Sequence, residues 1–125
     1  MALERPEIDP LDGPPPADLQ ITDITIGDGA QAGHGTTVSV HYVGVAHSTG
    51  EEFDASWNRG EPLRFRLGAR QVIDGWDQGV LGMRVGGRRR LVIPPHLGYG
   101  ATGAGRGAIK PHETLIFVVD LLGVD

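Results

Sequence analysis

The sequence predicts an α+β domain, with a twisted, mostly antiparallel sheet of about five strands wrapped around one short helix. Three observations predict it. Several segments alternate apolar and polar residues with the period of two that a half-buried strand requires. Only Val72, Ile73, Trp76 and Val80 fall at the spacings of three, four and seven that mark one face of a helix. At 125 residues and 39% hydrophobic content, the chain suits one domain around one core.

Residues 1–18 hold five of the nine prolines (Pro6, Pro10, Pro14, Pro15 and Pro16) and show neither period, so they read as a Pro-rich flexible arm ahead of a domain at 19–125. An edge strand over 19–26 carries Leu19, Ile21, Ile24 and Ile26 and ends at the turn Gly27-Asp28-Gly29. In 36–46, Val38, Val40 and Tyr42 share one face and Ser39 and His41 the other, which predicts a long central strand. The turn Ser48-Thr49-Gly50 leads to strands at 52–55 and 63–67, separated by the polar loop 57–61. The helix over 72–80 must be short, because Gly75, Gly79 and Gly82 would each cost a helix interior about 1 kcal/mol relative to alanine. After Gly86-Gly87 come strands at 89–94 and 114–122, the second with Leu115, Phe117, Val119 and Leu121 on one face. Between them, 95–113 is an aperiodic stretch with five glycines, long enough to suggest a functional loop.

Composition removes several function classes. A net charge of −5 gives no long-range attraction to nucleic acid or an anionic membrane, so neither partner is expected. No apolar run approaches the ~20 residues of a membrane span, and the first residues lack the charged-then-apolar pattern of a secretory signal, so a cytoplasmic location is expected. With no cysteine, disulfides, thiolate catalysis and Cys-ligated zinc are excluded. The run Arg88-Arg89-Arg90 reads as the solvated start of a strand. The five histidines show no metal-ligand spacing and read as surface or loop residues; no metal is expected. Gly98-Tyr99-Gly100-Ala101-Thr102-Gly103 matches the letters of a dinucleotide fingerprint, but a phosphate loop must open a helix, and glycines followed by Lys110-Pro111 cannot supply one. No cofactor is expected. Asp54 and Arg59, five apart across a loop, read as a structural ion pair that can shape a site.

What remains is a set of aromatic and aliphatic residues beside glycine-rich turns. In order, the chain carries Val40-His41-Tyr42-Val43-Gly44, Phe53-Asp54, Val72-Ile73 with Gly75-Trp76, Gly79-Val80, Met83 with Val85-Gly86, Ile93-Pro94, Tyr99-Gly100-Ala101 and Thr114-Leu115 with Phe117. Over residues 19–125 this series resembles the FK506-binding protein family of peptidyl-prolyl isomerases. The resemblance implies a site between helix and sheet, with Trp76 as floor, Tyr42, Phe53 and Phe117 as aromatic walls, and Val72 and Ile73 at the rim. It implies further that Ile73 offers a backbone N–H to the bound chain and Tyr99 a hydroxyl to a substrate carbonyl, and that Asp54, held by Arg59 and Tyr42, lines one side. Leu63 and Ile109 complete the substrate-binding set. Proline-containing polypeptides are the implied partners of a monomer, with macrolides such as FK506 or rapamycin as ligands. A non-catalytic proline-binding or chaperone module would use the same pocket.

The chain departs from the family pattern in three places. Leu63 stands where an aromatic ring is usual, the segment Ala104-Gly105-Arg106-Gly107 is one residue longer and lacks a histidine, and Ala108 replaces a larger aliphatic residue. These changes open the rim and bear on substrate preference and macrolide affinity.

Overall fold

The alternation Val38-Val40-Tyr42 lies in the strand on which the sheet is assembled. The computed structural model describes residues 3–8, 13–104 and 107–125; Pro10 and the Gly105-Arg106 part of the altered loop lie outside them. Strands β1 (Gln20–Thr25), β2 (Thr37–Ala46), β3 (Glu52–Ala55), β4 (Leu63–Arg66), β5 (Arg88–Ile93) and β6 (Leu115–Val124) form one antiparallel sheet in the order β1-β5-β6-β2-β3, with β4 also on β2. Residues 37–40 of β2 pair with β4 and residues 43–45 with β3, so these two short strands share one edge. The sheet has six strands in five columns, because the 3-10 turn Ser56–Arg59 and the residues after it separate β3 from β4 along the same edge of β2.

The helix α1 (Asp74–Gly79) is shorter than the 72–80 expected from its apolar spacing. Ile73 is extended (φ −60°, ψ 151°) and only caps it, which leaves Val72 and Ile73 free to form an edge. Glycines make the helix possible as well as short. A β-carbon on Gly75 would lie 2.5 Å from Ile93 Cγ2, and one on Gly79 2.7 Å from Leu91 Cδ1, so the helix backbone rests directly on β5. Gly82, at φ +88°, then turns the chain away.

The inner face of the sheet meets the helix. Val38, Val40 and Tyr42 of β2, Leu91 and Ile93 of β5, and Leu115, Phe117, Val119 and Leu121 of β6 pack there with Phe65, Leu67, Trp76, Val80 and Met83. The outer face is also buried along its middle, where Val45, Val92 and Ile116 form a second apolar cluster. Residues 3–8 carry no helix or strand but lie against that face, with Pro6 buried and Ile8 packed on the cluster.

The arginine run is not a solvated strand start. β5 begins at Arg88, and the Arg89 side chain, only 12% exposed, pairs with Asp23 (2.7 Å) and donates to the Gly79 and Leu81 carbonyls (2.9 and 3.1 Å). It thereby satisfies backbone acceptors at the end of α1 that have no partner within the helix. Arg88 is bound to the buried Asp120. Their acidic partners, Asp120 and Asp23, lie far off in sequence, so the local pattern of residues carries no sign of them.

The contact between α1 and β5 gives a direct test. Gly75→Ala replaces a poor helix former by the best one, yet the added carbon meets Ile93, so unfolding in urea should show a loss of about 1–3 kcal/mol. A variant as stable as the wild type would mean that the helix has room to move.

Candidate active site

Between α1 and the inner face lies a cleft of about 160 Å³, lined by Tyr42, Phe53, Asp54, Leu63, Gln71, Val72, Ile73, Trp76, Tyr99 and Phe117. Trp76 forms its floor. The indole is buried and held edge-on by Tyr42 (ring centroids 4.8 Å, 82°) and Phe117 (5.2 Å, 86°), with Phe65 tilted against it at 5.7 Å. Such edge-to-face contacts set the positive rim of one ring against the negative face of another and fix orientation as well as burying area.

The walls depend on two irregularities of the sheet. Gly44 interrupts the β-branched run of β2 and lies beneath the Phe53 and Phe117 rings, where a β-carbon would come within 2.8 and 2.6 Å of them. In the β2–β3 ladder Gly44 pairs with Asp54 and Val45 with Glu52, so Phe53 has no partner of its own. It is a bulge, the standard means of turning one side chain out of the alternation. Phe53 thus reaches Phe117 edge-on at 5.4 Å.

One side of the cleft is a polar latch. The Tyr42 hydroxyl donates to Asp54 Oδ2 (2.5 Å), Arg59 Nη1 donates to Asp54 Oδ1 (2.8 Å), and Arg59 Nη2 donates to the Tyr42 oxygen (2.7 Å). Burial, then the neighbouring Asp54 carboxylate, raises the Tyr42 pKa above its usual value, partly offset by Arg59. The hydrogen bonds to Tyr42 and Asp54 raise that of Arg59 further, so the cation persists. Tyr99 is raised by burial and by the field of Asp54. Its hydroxyl makes no protein hydrogen bond among the described residues.

The backbone beneath the latch is pinned as well. Ser56, fully buried, accepts the Tyr42 N–H (2.7 Å) and lies 2.8 Å from His41 Nδ1. His41 in turn stacks on Trp57 (4.3 Å, 19°), so this histidine is a packed member of β2 and not the surface or loop residue expected. At the opposite rim, Asp77 accepts the Gly68 and Arg70 N–H groups (2.9 and 3.1 Å), and Gln71 Oε1 accepts that of Arg66 (2.8 Å). These bonds hold the turn that presents Val72 and Ile73, and the Ile73 N–H itself has no acceptor among the described residues.

The sequence-derived residues therefore fall into three groups. Tyr42, Phe53, Asp54, Leu63, Val72, Ile73, Trp76, Tyr99 and Phe117 all line the cleft. Arg59 stands behind it, holding Asp54 and Tyr42. Ile109 is not at the surface of the cleft: it is buried in the core and bridged to Ala104, closing the base of the long loop. Gln71 and Gly44 were missed. A glycine inside a β-branched strand is itself a sign of close approach, and would have singled out Gly44. Among the described residues, Gly98 to Gly103 opens no α-helix, and no group of histidines and carboxylates could hold a metal ion.

An aromatic cleft between a short helix and an open antiparallel sheet, bordered by a carboxylate latch, suits a small isomerase that acts without covalent chemistry. Comparison with known proteins agrees. The sequence profile of the FKBP-type peptidyl-prolyl cis-trans isomerases matches residues 29–122. An FK506-binding protein of Streptomyces anulatus is 69% identical over 124 residues, covering 99% of this chain and 100% of that protein. A probable FK506-binding protein of Corynebacterium glutamicum is 49% identical over 120 residues, 96% of this chain and 98% of that one. The crystal structure of AtFKBP13 superposes with a TM-score of 0.80 at 40% identity, covering 89% of this chain and 96% of that one. The chain belongs to the FKBP-type peptidyl-prolyl cis-trans isomerase family, and its activity is that of the family: rotation about X-Pro peptide bonds.

The two tyrosines carry a testable pH dependence. Their folded-state pKa values are raised, so their contribution to stability is complete below pH ~10 and is lost as pH climbs through the raised values. Urea midpoints should hold steady in the neutral range and fall above pH ~10. In Tyr42→Phe the neutral-pH midpoint should be lower but the alkaline fall shallower; a fall as steep as in the wild type would count against the burial of Tyr42 as its cause.

Proposed function

We propose that the cleft lined by Trp76 is where this isomerase works, and that it acts by desolvating the X-Pro amide and holding it twisted. The observation that carries the proposal is the juxtaposition of a buried aromatic floor with two unspent donors, the Ile73 N–H and the Tyr99 hydroxyl.

The barrier to be lowered is about 18–20 kcal/mol and arises from amide resonance. The charge-separated form that gives the C–N bond its double character is favoured by water, so an apolar box weakens it and favours the twisted state. The proline ring sits on Trp76 between Tyr42, Phe53 and Phe117, while Val72 and Ile73 hold the chain at the rim. The Ile73 N–H and Tyr99 hydroxyl bind carbonyl oxygens of the substrate, and Asp54, fixed by Arg59 and Tyr42, borders the rotating group. Leu63 closes the wall. Rate is gained only in so far as these contacts fit the twisted amide better than the planar one; a millionfold acceleration corresponds to about 8 kcal/mol of that difference.

The substrates in this reading are proline-containing segments of folding polypeptides, and a monomer suffices to bind them, because Trp76, the aromatic walls and both donors converge within one domain. Residues 19–125 constitute the catalytic domain. A macrolide such as FK506 competes for the same floor, as the names of the relatives suggest.

Exchange spectroscopy on a short X-Pro peptide tests the site. Trp76→Leu and Asp54→Ala should lower the accelerated rate by about tenfold or more, and Tyr99→Phe by less, with the fold intact. Wild-type rates in Trp76→Leu would remove the cleft from the mechanism. FK506 should raise the melting temperature and abolish the acceleration together; stabilisation without inhibition would separate the macrolide site from the catalytic one.

A further inference from the structure

Among the described N-terminal residues, Arg5 contacts the segment that carries one wall of the cleft. Arg5 Nη1 donates to Asn58 Oδ1 (2.7 Å), its Nη2 pairs with Glu52, and Asn58 Nδ2 donates back to Glu52 Oε2 (3.0 Å). The three side chains close a ring. Glu52 opens β3, one residue before the bulged wall residue Phe53 and two before Asp54, and Asn58 directly precedes Arg59. The ring therefore ties together both ends of the segment that carries a cleft wall and two members of the latch.

Beyond the latch and the contacts of Ser56 and Trp57 with β2, the regular backbone pairing of that segment is sparse. β3 is an edge strand of four residues, paired on one side only and broken by its bulge, and the 3-10 turn Ser56–Arg59 after it has no side-chain cap. Short elements of this kind open locally at low free energy.

Arg5 itself is held from both sides. Arg88 Nη2 donates to the Glu4 carbonyl (2.6 Å) and Arg88 is bound to the buried Asp120, while Pro6 is buried and Ile8 rests on Val45, Val92 and Ile116. An isolated surface ion pair loses much of its value to the entropy of ordering two long side chains. Here the backbone on either side of the guanidinium is already anchored to the sheet, so less order has to be imposed.

We infer that Arg5 is a positioning residue for isomerisation: residues 3–8 strap the outer face of the sheet, and through Arg5 they lock the 52–59 segment so that Phe53, Asp54 and Arg59 stand in register around the cleft. The inference rests on the assignment of activity to the Trp76 cleft.

The test compares Arg5→Ala, Arg5→Lys and, as a control that breaks a surface ion pair away from the 52–59 segment, Arg64→Ala, which frees the more exposed Asp125. Two quantities are read on the full chain: kcat/KM on a short X-Pro peptide, and backbone amide exchange over residues 53–59 by NMR. Arg5→Ala should lower kcat/KM by about threefold to tenfold and quicken exchange in that segment, while exchange in β5 and β6 stays slow. Arg5→Lys, which keeps the charge opposite Glu52, should recover most of the activity, and Arg64→Ala should match the wild type. Wild-type turnover and exchange in Arg5→Ala would overturn the inference, as would an equal loss in Arg64→Ala. If Trp76→Leu also left turnover unchanged, the assignment of the cleft would be the claim to fall, and exchange over 53–59 would still decide whether Arg5 holds the segment.

Discussion

Helix α1 lies flush on β5 because Gly75 and Gly79 carry no β-carbon, and the position of everything in the cleft follows from that contact. The six-residue helix is too short and too rich in glycine to persist alone. Packing holds it: its backbone rests on Leu91 and Ile93, its last carbonyl, that of Gly79, is bound by Arg89, and Trp76 fills the centre of the inner face. A bulkier residue at either glycine would lift the indole away from the rings that orient it. Poor intrinsic helicity is thus the condition for a floor at the right depth.

The same exchange of local regularity for shape recurs in the walls. Gly44 weakens β2 and the Phe53 bulge weakens β3, yet together they make room for two aromatic rings and turn one of them inward. The latch then supplies polarity without a reactive group. Asp54 is bound by a phenol and a guanidinium, and Arg59 is 5.6 Å from the Tyr42 ring centre as well as bonded to its oxygen. These bonds consume hydrogen-bonding capacity that would otherwise draw water into an apolar cleft. Two unspent donors lie at the rim and on the long loop, where a chain passing through the site would meet them, and the Trp76 indole N–H, also without a partner among the described residues, lies in the floor.

Both faces of the middle of the sheet are buried, which a domain with a single helix cannot achieve from the inner side alone. Ile116 and Val118 of β6 and Val45 of β2 point outward and are nonetheless shielded from solvent. Ile8 supplies part of that cover, so the N-terminal residues are joined to the sheet by apolar packing as well as by the Arg88 and Arg5 contacts. The strap and the cleft lie on opposite faces and communicate at the edge of the sheet, through β3.

The strands and the helix are legible in the sequence because their periodicity is a local signal, and nearly all of the cleft lining is legible through the resemblance to a known family. Alternation over 36–46 and 114–122 requires two neighbouring residues at a time, and the order Tyr42, Phe53-Asp54, Val72-Ile73, Trp76, Tyr99, Phe117 is a linear pattern. Only the tertiary structure decided that β3 and β4 share one edge, that the helix begins at Asp74 and not Val72, that Ile109 is buried in the core, and that Arg88, Arg89 and His41 are held by distant partners. It also decided that residues 3–8, which read as a free arm, lie on the sheet. In each case the determining contact joins residues far apart in sequence, such as Arg89 with Asp23, Gly75 with Ile93 and Arg5 with Glu52. Periodicity records which face a residue presents, but not what the folded chain brings against it.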